Sequence, residues 1–287
     1  MISNKYFSLI SSMKKAVDVP LLLDTYSGAS AAYSLRKLRT AYTGNALTVR
    51  RSSDNTSQDI GFDVNGNLDT TSLLSFVGAG NGFVTIWYNQ DGNTNHYVYN
   101  TTAAQQPQIV ENGSVLVDSN GKPQLRFTNQ LLRSVAGFGW NVNTSALFYV
   151  GNSNGVSVSF AGLITMSNAT YNPELRFGIG VTGNSDISSY WNNNYQISGP
   201  YNLQLRKVYS SIITGNKTQT VYGNGIQLVT VTNTGTFNNL TEFTIGGYLA
   251  TNGFQNGFIS EVIVYTSNQS FNRTGIESNI NSFYSIY

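Results

Sequence analysis

Fourteen carboxylates, one histidine and no cysteine bound the chemistry open to this chain. Without cysteine there is no disulfide, no thiol nucleophile and no thiolate metal site. A Ser-His-Asp triad would have to use His96. That residue ends Trp87-Tyr88-Asn89-Gln90-Asp91-Gly92-Asn93-Thr94-Asn95-His96, a polar, turn-rich loop with no nucleophile elbow or partner motif, so it reads as a surface residue rather than a catalyst or metal ligand. Asp63, Asn65, Asn67 and Asp69 alternate as oxygen ligands of calcium would, but the spacing lacks the sixth-position glycine and terminal Glu of an EF-hand. A polar hairpin turn explains them, so no metal and no cofactor is expected, calcium being the one ion such a loop would take. Paired carboxylates would serve glycoside hydrolysis. Glu174 and Glu261 are the acids inside β-like segments of the second half, and both read as structural. Ser188–Tyr201 offers Tyr190, Trp191, Asn193 and Tyr195. Aromatic rings stack on the apolar faces of sugars and amides bond their hydroxyls, which makes these four the candidate carbohydrate-binding residues. The competing reading is a loop whose aromatics tuck beneath it.

Composition agrees with a packed chain that carries little charge. Hydrophobic residues make up 40% of 287 and aromatics 13%, enough for a sizeable core. Charged residues are only 10%, so Asn, Thr, Ser, Gln and Gly must cover the surface. The net charge of +2 is too balanced to predict nucleic-acid binding, and no apolar run reaches the length of a membrane span. Residues 1–20 read as an arm closed by Pro20. Lys5, Tyr6, Lys14 and Lys15 are candidate attachment residues, against the alternative of a frayed terminus. The apolar stretch Tyr6–Ile10 is too short for a secretory signal.

These residues must be positioned by a β framework. A helix is predicted first, capped by Ser30, with Ala31, Leu35, Leu38 and Tyr42 on its apolar face and Arg36, Lys37 and Arg39 on a solvated one. Then come short strands: Ala46–Arg51, a hairpin around Asn65-Gly66, Phe83–Tyr88, Gln108–Val117, Gln124–Phe127 and Leu147–Val150. The second half continues with Leu175–Ile179, Val208–Thr214, Gln219–Tyr222, Ile226–Val231, Phe243–Ile245 and Phe258–Tyr265. A last helix is capped by Ser270 and buries Ile276, Ile280 and Tyr284. The prediction is an all-β chain: residues 21–287 as one β-sandwich with an N-terminal and a C-terminal helix.

Two stretches carry a resemblance. Tyr33-Ser34-Leu35-Arg36, Ala41-Tyr42-Thr43-Gly44, Val49-Arg50-Arg51-Ser52-Ser53-Asp54 and Trp87-Tyr88-Asn89-Gln90-Asp91-Gly92-Asn93 resemble the N-terminal half of the α-L-arabinofuranosidase B catalytic domain. Asn89 and Asp91 depart from that family's Tyr-Asp-Gln-Ser-Gly-Asn-Gly-Asn signature. Tyr222-Gly223-Asn224-Gly225, Ile245-Gly246-Gly247-Tyr248 and Gly257–Tyr265 resemble hairpins and closing strands of laminin-G-like modules. The resemblance implies a concanavalin-A-like jelly roll. The family's general acid follows the Gly-Gly that matches Gly246-Gly247, where this chain has Tyr248; its nucleophile is a Glu in an Asp-Tyr-Gly-Asn-Ala-Glu context, for which Glu174 is only a positional candidate. That family also uses disulfides. Loss of one carboxylate implies loss of most of the rate.

The arm and the run Ser34–Gly44 are also similar to structural proteins of tailed bacteriophages. From this comes the expected function: a non-enzymatic virion protein, as capsid decoration, tail or fibre module. Its lectin-like sandwich would face host glycan, with other virion proteins and further copies of itself as partners, and with no nucleic acid or membrane insertion. It would be assembled in the host cytoplasm and exposed on the virion outside the cell. The alternatives are a glycoside hydrolase of α-L-arabinofuranosidase type and a purely architectural protein.

Overall fold

The computed structural model describes residues 20–93, 96–134, 144–156, 161–167, 177–182, 186–191, 194–198, 202–215, 217–232, 242–247 and 255–287. The arm, with Lys5, Tyr6, Lys14 and Lys15, lies outside them. Among the described residues the chain is nearly all β, antiparallel, with three short α-helices. The first half contributes β1 (Ala31–Ser34), β2 (Leu47–Arg51), β3 (Ser57–Ile60), β4 (Gly82–Tyr88), β5 (Tyr97–Tyr99), β6 (Gln108–Glu111), β7 (Ser114–Val115), β8 (Leu125–Thr128) and β9 (Leu132–Ser134). The second contributes β10 (Ser145–Val156), β11 (Ala161–Ser167), β12 (Phe177–Thr182), β13 (Asp186–Trp191), β14 (Asn194–Ser198), β15 (Lys207–Thr214), β16 (Thr218–Gly223), β17 (Ile226–Thr232), β18 (Glu242–Ile245) and β19 (Gln255–Tyr265). The helices are α1 (Leu22–Thr25), α2 (Thr70–Val77) and α3 (Arg273–Tyr284).

Two layers form. The first runs β17–β16–β15–β10–β19, and β19 carries β1 on Glu261–Val264 and β8 on Asn256–Ile259. The second runs β14–β13–β12–β11–β18–β9–β5–β4–β2–β3. Strand β6 pairs with both β4 and β8 and so joins them. The main core lies between the layers, with Leu147, Tyr149, Tyr209, Val262 and Val264 facing Val49, Val84, Trp87, Ile164, Phe243 and Ile245.

The first layer is buried on its outer side as well. Ala146, Phe148, Val150, Val208, Ile212, Ile263 and Tyr265 meet Ile276, Ile280 and Tyr284 of α3 and Leu22 and Leu23 of α1. The stripe predicted for the last helix therefore holds; each fully buried Ile in it contributes about 2 kcal/mol. The helix begins at Arg273, with Asn272 in the cap position instead of Ser270, whose amide and hydroxyl donate to Asn268 Oδ1.

Burial on both faces corrects the prediction for residues 31–42. Ala31–Ser34 are all buried and form β1, with Ala31 and Tyr33 in the main core and Ala32 under the helices. A strand covered on both sides loses its polar alternation and reads as a continuous apolar run. The first helix is instead the single turn α1, just upstream. Arg36, expected on a solvated face, is 6% exposed.

Turn chemistry holds where glycine or a short amide was decisive. Asn224 (φ 52°) and Gly225 (φ 78°) take the two positive φ values that a tight β16–β17 hairpin needs. The Asp63 carboxylate accepts the Asn65 and Asn67 amides at 2.9 and 2.8 Å, an Asx turn. Asp69 caps α2 by accepting the Ser72 amide at 3.0 Å. These side chains thus serve a turn and a helix start that sequence reasoning did not separate.

Candidate functional site

Backbone register defines a continuous outer face on the second layer. Residues directly opposite in antiparallel strands lie on one side of the sheet. One row runs Asp59, Thr48, Ile86, Tyr99, Arg133, Thr244, Thr165, Gly178, Tyr190, Tyr195. Tyr190 and Tyr195 thus share the row of Thr165 and Thr244, at the far end from Tyr99. Trp191 pairs with Asn194 one step along, on the other face of the β13–β14 hairpin, and Asn193 lies outside the described residues. The structure divides the predicted aromatic cluster between two faces.

At the centre of this face β18 runs into Gly246-Gly247. Gly246 has φ +85°, and a Cβ there would collide with the Phe127 ring and approach Gln130 O at 2.9 Å, so the position requires glycine. Thr165 Oγ1 donates to Gly247 O at 2.9 Å, and Ser134 Oγ accepts the Phe243 amide at 3.0 Å. The Gly-Gly end is therefore pinned from β11 and β9. Tyr248, which follows, lies outside the described residues, as does Glu174.

Carboxylates sort by place. Glu261 is fully buried under α3, where Arg36 Nε and Nη2 meet its two oxygens at 2.8 and 3.0 Å, and Ser34 Oγ donates at 2.7 Å. This is a structural ion pair, as its place in the sequence suggested. Glu277, on the buried face of α3 itself, pairs with Arg273 one turn earlier at 2.6 Å and accepts the Ser210 hydroxyl at 2.5 Å. On the second layer, Glu242 sits opposite Ser167 with the parity of Thr244, and Asp186 has the parity of Tyr190. Sequence reasoning passed over both, because which strand face they occupy is fixed only by register. Strand spacing and rise put their backbones roughly 25 Å apart, too far for the carboxylate pair of a glycosidase.

The loop after β4 builds a pocket at the lip of the same face. Asn89 Oδ1 accepts the Ala32 and Asp91 amides at 2.7 and 3.1 Å. Gln90 Oε1 accepts the Leu38 amide at 2.8 Å, and its Nε2 donates to Ser34 O and Arg36 O at 3.2 and 3.0 Å. The motif thus stitches the end of β4 to β1 and the segment after it. Arg39 Nη1 donates to Asp91 O at 2.6 Å. The resulting cavity, about 390 Å³, is lined mainly by Arg39, Tyr42, Asn45, Tyr88, Asn89 and His96. Burial, with Tyr88 and Asp91 nearby, pushes the Tyr42 phenol up to about 12, so it stays neutral. Burial also raises the Asp91 carboxyl, against the opposing pull of the Asn93 amide. His96, read from sequence as a surface residue, lines this cavity, with Nε2 at 3.3 Å from the Asn93 side-chain amide.

Residues 24–159 match the family model described as "Alpha-L-arabinofuranosidase B, catalytic". Among solved structures, an arabinofuranosidase complexed with arabinofuranosyl-α-1,2-xylobiose superposes with TM-score 0.72 at 14% identity, covering 92% of this chain and 64% of that one. A GH54 α-L-arabinofuranosidase soaked with a cyclic sulfate inhibitor gives TM-score 0.68 at 16% identity, with the same coverage. The chain thus spans less than two thirds of these relatives. No curated protein matches it. The fold is a β-sandwich related to that catalytic domain. The expectation of a non-enzymatic virion module of head, tail or fibre is corrected by these findings, since the matched model is a catalytic domain and the structural relatives are arabinofuranosidases.

Proposed function

We propose that this chain is a glycoside hydrolase of α-L-arabinofuranosidase type. We further propose that its two layers are a concanavalin-A-like jelly roll, built from residue 21 onward as one domain. The observation that carries the activity is the match of residues 24–159 to the model of a catalytic domain. The fold likeness extends the support to most of the remaining chain. The substrate face is the outer side of the second layer, where Tyr190 and Tyr195 stand in register with Thr165 and Thr244 and the rigid Gly246-Gly247 end approaches. Tyr190 and Tyr195 make the sugar contacts on this face, and Trp191, of opposite parity, is not among them. The reaction uses two carboxyl groups and needs no cofactor. Because Tyr248 follows the Gly-Gly, the proton donor comes from another position. Glu174 is the candidate nucleophile, and Glu242 is the described carboxylate in closest register to Thr165.

The test is release of nitrophenol from 4-nitrophenyl α-L-arabinofuranoside. Activity well above buffer is expected, with Glu174→Gln lowering it by about 100-fold or more. No release from this or other aryl furanosides, from acid to neutral pH, would refute the proposal. Activity that survives Glu174→Gln but not Glu242→Gln would move the essential carboxylate to β18.

A further inference from the structure

We propose that the pocket beside Asn89 is a distal saccharide subsite, holding one neutral sugar ring of a polysaccharide whose cleaved unit lies farther along the same face. The proposal rests on the hydrolase reading for the identity of that polysaccharide, and on the pocket's own geometry for the site.

Asn89 is the first argument. It is 3% exposed and lines the cavity, and its Oδ1 already accepts two backbone amides. Those two donors fix the amide orientation, because a flipped side chain would set NH₂ against N–H. Its Nδ2 closes no well-formed hydrogen bond among the described residues, although the Asp91 carboxylate lies near enough for that amide to lower its pKa. A buried donor whose hydrogen bond is not closed is costly, and a ligand hydroxyl or ring oxygen in the pocket would recover that cost.

The walls are the second argument. Tyr42 and Tyr88 line the cavity, and rings of this kind pack on the C–H faces of sugars. Arg39 adds further donors at the rim. Charge decides against an anion: the Arg39 guanidinium is already engaged by Asp91 O, Asp91 itself lies alongside, and the Tyr88 hydroxyl is 3.4 Å from Asp59. A cavity of about 390 Å³ is ample for a single ring.

Continuity is the third. Tyr88 is opposite Tyr97, and Tyr99 is opposite both Ile86 and Arg133. Tyr97 and Tyr99 meet edge to face at 5.7 Å, and the Arg133 guanidinium lies 5.8 Å from the Tyr99 ring. This half-buried aromatic path leads from Thr244 to the pocket over roughly 16 Å by strand spacing and rise. A linear oligosaccharide could span it, whereas a lone arabinofuranosyl unit could not.

The experiment titrates xylo- and arabino-oligosaccharides of increasing length into the full chain and follows the Asn89 side-chain amide by ¹⁵N NMR. We expect that signal to shift, with affinity rising with length. Ala41→Trp places a large ring at the exposed lip and should weaken binding about tenfold or more. Asn89→Asp keeps the two accepted backbone bonds, removes the donor and should weaken it similarly. If Asn89→Asp does not fold, Ala41→Trp decides. No shift at Asn89 with any sugar, or equal affinity in Ala41→Trp, would overturn the subsite. Nitrophenyl arabinofuranoside hydrolysis is measured on the same wild-type preparation. Hydrolysis without an Asn89 shift removes the subsite alone; a shift without hydrolysis removes the hydrolase reading alone.

Discussion

Arg36 and Glu261 show how a single residue can be charged, inaccessible and yet not catalytic. Their side chains are 7% and 1% exposed, and the guanidinium also lies 5.0 Å from the Phe283 ring. Removing one partner strands the other, so Arg36→Met should destabilise the fold by about 3–5 kcal/mol by urea denaturation. Adding Glu261→Leu should recover part of that loss, because the orphaned charge then disappears. Asp69 is only half-buried and acts locally. Hydrogen bonds from the Ser72 hydroxyl and amide hold its carboxyl below the usual range. Its folded pKa thus lies below its unfolded one, so its contribution is present above about pH 4 and fades as pH falls through the folded value. Asp69→Ala should cost about 1 kcal/mol at neutral pH, and the gap to wild type should close in acid. Neither role was legible in the sequence. Arg36 sits in a basic run that resembles a solvated face, and Asp69 is in step with the turn residues Asp63, Asn65 and Asn67. Glu261 was legible, since its strand alternation opposes it to Val262.

Elements were legible where one of their faces meets solvent. The stripe Ile276, Ile280, Tyr284 stands out because the residues between it include exposed ones, and Ile280→Ala should cost about 2–5 kcal/mol in thermal or urea unfolding. Strand β1 was misread because its Ala-Ala-Tyr run is packed above and below, so no period remains. Helix α2 was missed altogether: Thr70–Val77 carries no charge to mark a solvent side. The Gly246 segment makes an element-scale prediction for the site. Gly246→Ala must move Phe127 or bend β18 out of its positive φ, so it should lower both the melting temperature and any arabinofuranosidase activity. A loss of activity with unchanged melting would mean the glycine serves substrate approach rather than packing.

At the scale of the whole molecule, the two halves are interleaved. Strand β19 receives β1 and β8 from the first half of the chain and β10 from the start of the second, and the main core draws on both halves. A fragment limited to residues 24–159, the stretch that matches the catalytic-domain model, lacks β19 and should give the dispersionless NMR spectrum of an unfolded chain. A well-dispersed spectrum would show that the first half is an autonomous domain. Composition and turn residues made the all-β class legible, but not the order of strands, because those pairings join residues far apart in the chain. That order has a consequence for biosynthesis. A ribosome makes β19 after every strand it pairs with, so the nascent polypeptide carries the unpaired edges of β1, β8 and β10 until β19 has emerged. At about 5–20 residues per second, those edges wait for many seconds. The polar amides and hydroxyls that cover this charge-poor chain therefore have to keep an unfinished sheet from meeting its neighbours on the polysome, and slowed codons between β10 and β19 should raise the insoluble fraction.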